Sequence, residues 1–202
     1  MILWPNKFKL VYQKVLFLNF FFNCSSFLTV ATDIIVATGH EHCVSCTSYV
    51  DSVETIRITE AGNDVKVEKC SQLVPVHPLK VNSASGATLS TGDPLICGGK
   101  SNRIAIDTCY KLNKNEWREA PQLPSARYAF AMTNTDSTIF ISGGYTGGPY
   151  LNDLHQLKNG SWQPLSTMPK KVIRHCLVAI NGSHLLNIGG YGARGGRGDV
   201  SK

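Results

Sequence analysis

Phe140-Ile141-Ser142-Gly143-Gly144-Tyr145 decides the fold of this chain, because the phrase recurs. An apolar run also closes on two glycines at Leu95-Ile96-Cys97-Gly98-Gly99 and at Asn187-Ile188-Gly189-Gly190-Tyr191. The glycine pairs begin at 98, 143 and 189, steps of 45 and 46 residues. Trp117 and Trp162 follow the first two pairs at a constant distance, and Pro124 and Pro169 keep the same 45-residue spacing. Self-similarity at this period is the signature of a repeat architecture, whose units bury their apolar faces only against neighbours.

Outward from Gly143, one unit reads as four short strands. Arg127 to Met132 leads into a polar tip, Asn134-Thr135-Asp136-Ser137, and then into the apolar run Thr138-Ile139-Phe140-Ile141, suited to a strand covered on both faces. Asp153-Leu154-His155-Gln156-Leu157 alternates apolar and polar residues, as a half-buried strand does. The hairpin signal Asn159-Gly160 leads to Ser161-Trp162-Gln163-Pro164-Leu165. Four antiparallel strands per unit make a propeller blade.

The unit resembles the kelch repeat: a double glycine, a following Tyr, a spaced Trp, and a Pro and Arg that open the next unit. Arg127 and Arg174 are read at that last position, the second with a two-residue slip. The resemblance implies an all-β, kelch-type β-propeller, with blades over 85–124 and 125–169 and a partial blade over 170–191. A more degenerate blade is expected over 32–84, from Asp33–Gly39, Val53–Ile58 and Val65–Glu68. Residues 192–202 read as a flexible Gly/Arg-rich tail. Propellers close with four to eight blades, and about three are legible, an incomplete ring. Two explanations stay open: a chain shortened from a longer one, or closure by self-association.

The N-terminus differs in kind. Lys7, Lys9 and Lys14 precede Val15-Leu16-Phe17-Leu18, and small residues end at Ala31, the parts of a secretory signal peptide over 1–31. The rival is an uncleaved anchor, for which Asn19, Asn23, Ser25 and Ser26 are poorly suited. Removing Cys24 would leave six of seven cysteines, an even set suited to an oxidising compartment. Asn159 and Asn181 each begin an Asn-Gly-Ser acceptor for glycosylation, though Asn-Gly is also plain turn chemistry. The expected location is secreted. The formal charge of +6 falls to +3 without the three leader lysines, and no basic stripe for nucleic acid remains.

Cys97 and Cys109 fall on neighbouring strands of one blade and form a disulfide candidate, the alternative being a small buried Cys109. His40, His42, Cys43 and Cys46 are the densest ligand set, but all four come from seven consecutive residues without a distant second pair, so no metal site is expected. Arg197-Gly198-Asp199 spells a tripeptide known from integrin ligands, which a Gly/Arg-rich tail produces easily. His155 and His175 fall where the neighbouring blade has Tyr110 and Tyr128, and read as packing residues. No nucleophile triad, phosphate loop or carboxylate pair appears, so neither catalytic residue nor cofactor is assigned.

The resemblance implies a non-enzymatic interaction module that binds a protein or glycan through inter-strand loops. The alternatives are a piece of a galactose-oxidase-like extracellular enzyme, or an intracellular ubiquitin-ligase substrate receptor. In an up-and-down blade the second–third and fourth–first connections share one face of the disc. Lys100, Asn102, Arg103, Tyr145, Tyr150, Asn152 and Tyr191 fall on that face, while Asn159 and Asn181 fall on the other. Tyr and Arg dominate contact hot spots, which makes the first face the partner-binding side.

Overall fold

A computed structural model describes the backbone of residues 27–30, 33–43, 46–61, 64–69, 74–135, 137–180, 184–192 and 200–201, and the side chains within 74–135, 137–180 and 184–192. All regular structure among them is β. Three four-stranded or three-stranded antiparallel meanders follow a first one near the N-terminus, so each unit read from the repeat is a separate small sheet.

The best-defined sheet orders Ala131–Asn134, Ile139–Ser142, Asp153–Lys158 and Ser161–Thr167 side by side. Its predecessor orders Ser85–Thr88, Pro94–Cys97, Cys109–Asn113 and Glu116–Ala120 in the same way. Pro94–Cys97 is buried throughout, as its unbroken apolar sequence requires of a strand covered on both faces. Leu95, Cys97, Phe130, Met132, Ile139 and Ile141 join in one core that spans the two sheets. Each sheet alone would expose that apolar face, so packing between blades holds the unit together.

The third sheet pairs Cys176–Ile180 with His184–Ile188, and Val200–Ser201 lies against Asn187 and Ile188. Val200–Ser201 falls in the segment read as a tail; it takes the place that a third strand holds in the other blades, giving the second strand's edge a backbone partner. Residues 193–199, with Arg197-Gly198-Asp199, lie outside the described set.

The first sheet orders Phe27–Val30, Asp33–Cys43, Cys46–Ala61 and Asp64–Lys69. The strands read over 33–39, 53–58 and 65–68 are all present, and the middle two are longer than expected. Phe27–Val30, within the stretch read as a leader, pairs with Asp33–Val36. Cys43 and Cys46 are register partners at a hairpin end, so this Cys-x-x-Cys closes a strand pair.

The joint between blades explains the double glycine. Gly143 has φ +57°, and a Cβ there would sit 2.5 Å from the carbonyl oxygen of Val172 in the next blade's leading segment. Gly98 repeats this against the carbonyl of Arg127. In both, the second glycine's N–H donates to that same carbonyl at 2.9 Å, Gly99 to Arg127 and Gly144 to Val172. A side chain at either first glycine would push the blades apart.

These contacts correct the placement of Arg174. The residue equivalent to Arg127 is Val172, since both carbonyls accept from the second glycine and both N–H groups donate at 3.0 Å to the preceding loop, Arg127 to Ile106 and Val172 to Leu151. Arg174 instead matches Ala129, and His175 matches Phe130 rather than Tyr128. Ser83, Ala129 and Arg174 share a left-handed backbone, φ 53°, 54° and 54°. Ala129 donates its N–H to Ser83 and Arg174 donates to Ala129, at 2.9 and 2.8 Å. A backbone chain thus links three successive units, and the left-handed turn delays the first strand to Ala131 where it was expected from Arg127.

Candidate functional site

Two kinds of polar cluster occur among the described residues, one sealed inside the joints and one on the loop face. Arg127 is 1% exposed. Its guanidinium donates to both carboxylate oxygens of Asp153 at 2.8 Å, to the Gly143 carbonyl at 3.2 Å, and to the carbonyl and hydroxyl of Ser125 at 3.3 and 2.7 Å. All five N–H groups are engaged, which is what a buried guanidinium needs. The preceding blade has Val81 and Thr108 at the two equivalent positions, so the ion pair is replaced there by small uncharged groups.

His175 and Ser142 form the next joint. Ser142 is fully buried and its Oγ lies 2.8 Å from Nε2 of His175. Burial pushes the His175 pKa down to about 4, so the ring is neutral near pH 7. At the preceding joint Phe130 packs in one core with Cys97 in the corresponding positions. No substrate reaches a hydroxyl with zero exposure, so this Ser–His pair is a joint and not a nucleophile. His155 sits 3.5 Å from Asp153 through Nδ1, a distance too long for a good hydrogen bond. Burial lowers its pKa, with the Asp153 carboxylate opposing and the Arg127 charge adding to the effect.

The sulfurs of Cys97 and Cys109 are 1.99 Å apart, and the two residues are direct register partners. The next blade holds Ser142 opposite Leu154 at the same register. Among the described residues no group of three or more His, Cys, Asp or Glu is arranged to hold a metal ion; side chains of His40–Cys46 fall outside that set.

On the loop face the structure brings together three of the seven sequence-named residues and adds one. Tyr145 meets Tyr128 and Tyr150 edge to face, with ring centroids 5.3 and 5.1 Å apart. The Lys100 ammonium lies 5.1 Å over the Tyr128 ring. Backbone bridges Asn82–Lys100, Tyr128–Tyr145 and Tyr145–Tyr150 hold these positions from behind. Edge-to-face aromatic pairs and a cation over a ring each add modest attraction, so the four side chains form a pre-set surface. Tyr128 escaped the sequence reading because it was assigned to a strand interior.

The other four are dispersed. Asn152 is committed to structure, its amide donating to the Met168 carbonyl at 3.0 Å while Met168 donates back to the Asn152 carbonyl. Tyr191 is 37% exposed on the neighbouring blade, at the position equivalent to Tyr145. Asn102 and Arg103 are exposed at the tip of a small hairpin, Lys100–Ser101 with Ile104–Ala105. Asn159 is exposed at a left-handed turn with φ 52° on the opposite side, and Asn181 lies outside the described residues.

Comparison with known proteins agrees with this geometry. The Kelch motif matches residues 126–169, which contain Arg127, the Gly143-Gly144 pair and Trp162. A 60-residue stretch is 38% identical to Kelch-like protein 33 of Homo sapiens, covering 28% of this chain and 11% of that protein. A 116-residue stretch is 28% identical to Kelch-like protein 40 of Xenopus tropicalis, covering 52% of this chain and 18% of that protein. The matches thus span less than a fifth of either relative's length.

Proposed function

We propose that this kelch-repeat chain is a non-enzymatic interaction module that holds a protein partner on its loop face. The ring contacts of Tyr145 with Tyr128 and Tyr150, beside Lys100, carry this reading. Large rings already fixed against one another lose little entropy on binding, and residues of this type dominate interface energetics. The test is affinity capture from extracellular fluid with wild type, Tyr145→Ala and Asn159→Gln, each first checked for native near-UV circular dichroism. The expected result is one co-purifying protein with wild type and Asn159→Gln, reduced tenfold or more with Tyr145→Ala. Loss with Asn159→Gln and retention with Tyr145→Ala would reverse the assignment of faces.

We also propose that the chain is exported. The basic and apolar N-terminal segment supports this, and so does the Cys97–Cys109 pairing, since disulfides persist in oxidising compartments. A cut after Ala31 would remove Phe27–Val30 and leave Asp33–Val36 as the sheet's edge. Terminal sequencing of the protein from culture medium should find a start near Thr32. Retention of Lys7 in intracellular protein alone would overturn export.

A further inference from the structure

The hairpin Lys100–Ala105 departs from its repeat equivalent in a way that packing does not demand. Its two-residue turn, Asn102-Arg103, has left-handed φ at both positions, 47° and 69°. That turn type favours Asn-Gly, because a side chain in the left-handed region clashes with its own backbone. The next blade places Gly147 and Gly148 at the equivalent positions, 45 residues on, with Gly147 at φ +102°. A Cβ at either glycine would meet nothing within 4 Å, so space is not what separates the two turns. Gly148, unlike Arg103, lies outside the left-handed region, so the repeat closes this hairpin with one left-handed residue where the first hairpin holds two, Arg103 among them. Backbone strain retained without a packing reason points to use.

What the strain presents is a mixed tip. Ile104 is 67% exposed, the most exposed large apolar side chain among the described residues. Asn102 and Arg103 beside it are exposed as well. Neither Lys100 nor Arg103 forms an ion pair with a described residue, and both cations stand close in sequence to an unburied isoleucine. Lys100, at the base of the same hairpin, lies over the Tyr128 ring and so joins the hairpin's base to the tyrosine cluster.

We infer that the Asn102–Ile104 tip is the principal contact element of this face, inserting Ile104 into an apolar recess of a protein partner that is rimmed by carboxylates facing Arg103 and Lys100. This assignment rests on the loop face being the docking side. An isoleucine filling such a recess supplies the apolar burial, while the flanking cations select the acidic rim and speed encounter.

The test selects binders from a display library of small protein scaffolds with randomised surface loops, using the full chain as bait. Selected scaffolds should be enriched in Asp and Glu around apolar residues. Ile104→Ser and Arg103→Ser should each weaken them tenfold or more, and Leu165→Ser, an exposed apolar change on an outer strand, should leave them unaffected. The double variant Asn102→Gly/Arg103→Gly should unfold at a higher temperature than wild type and still lose these binders. Scaffolds that ignore both tip substitutions but fall with Tyr145→Ala would overturn the tip and keep the face. Indifference to all three would overturn both. A lower unfolding temperature for the double glycine variant would remove the strain on which the tip's selection rests.

Discussion

The guanidinium of Arg127 and the carboxylate of Asp153 meet as a planar fork, both oxygens accepting at 2.8 Å, across the start of one blade and its third strand. Arg127 is 1% exposed and Asp153 about a quarter exposed, so one partner has no route to water if the other is removed. Asp153→Ala should therefore cost about 3–5 kcal/mol, the usual result of leaving a buried charge unpaired. The double variant Arg127→Val/Asp153→Thr copies Val81 and Thr108 of the preceding blade and should lose much less than the sum of the singles. Urea unfolding of the four proteins gives the coupling; an additive cycle would show that the pair is not a unit.

Trp117 and Trp162 each reach back to the unit before their own. Trp117 donates its indole N–H to the Pro75 carbonyl at 2.9 Å, and Trp162 donates to Pro121 at 3.1 Å. Both rings are half-buried, so substitution by Ala should cost about 2–4 kcal/mol, below the value for a fully buried ring. Substitution by Phe keeps the packing and loses the bond, about 1 kcal/mol. Chemical denaturation separates the two. A loss below 1 kcal/mol for Trp162→Ala would mean that the indole does not join the blades.

The repeat was legible where the backbone restricts residue type. Gly98 and Gly143 must have no Cβ, and Trp117 and Trp162 must both fill space and donate a hydrogen bond, so these letters recur visibly. Arg174 misled because the side chain at that place is free to vary. What the fold needs there is a left-handed turn, which Ser83, Ala129 and Arg174 all supply, with the N–H of Ala129 and of Arg174 bound to the carbonyl of the unit before. The joints escaped sequence reading for a related reason. Phe130 with Cys97 in one joint and His175 with Ser142 in the next satisfy one volume with different chemistry, and only the folded chain sets them side by side. On the loop face, residue type suggested Tyr145 and Tyr150, but the exposure of Ile104 cannot be read from an apolar letter.

His175 should make stability depend on pH. Its folded pKa of about 4 lies below the ordinary 6.5, so between those values the unfolded chain binds more protons than the folded one. Stability therefore rises with pH across that window, and is lost as pH falls from 6.5 toward 4. The full shift corresponds to at most about 3 kcal/mol. His155 is displaced in the same direction, so the contribution of His175 is read by difference. His175→Phe, the residue type at Phe130, should flatten part of the slope between pH 4 and 6.5 measured by urea midpoints. An unchanged slope would mean that His175 is solvated in the folded protein.

Cys97 and Cys109 tie directly opposed residues twelve positions apart, and neither sulfur has a route to solvent, the residues being 0% and 1% exposed. Closing a loop of that size stabilises by about 3 kcal/mol in the chain-entropy account. The neighbouring blade shows what the site accepts without the bond, since Ser142 and Leu154 occupy the same register. Cys97→Ser/Cys109→Leu should therefore fold, yet unfold at lower urea than the oxidised wild type by an amount near that figure. Reduced wild type should resemble the double variant, as both lack the cross-link while keeping a filled core. Peptide mapping under non-reducing conditions should recover the two cysteines in one linked species from protein made in an oxidising compartment. Recovery of two free thiols from such material, with stability equal to that of the reduced form, would show that the sulfurs pack without bonding and would withdraw the redox support for export.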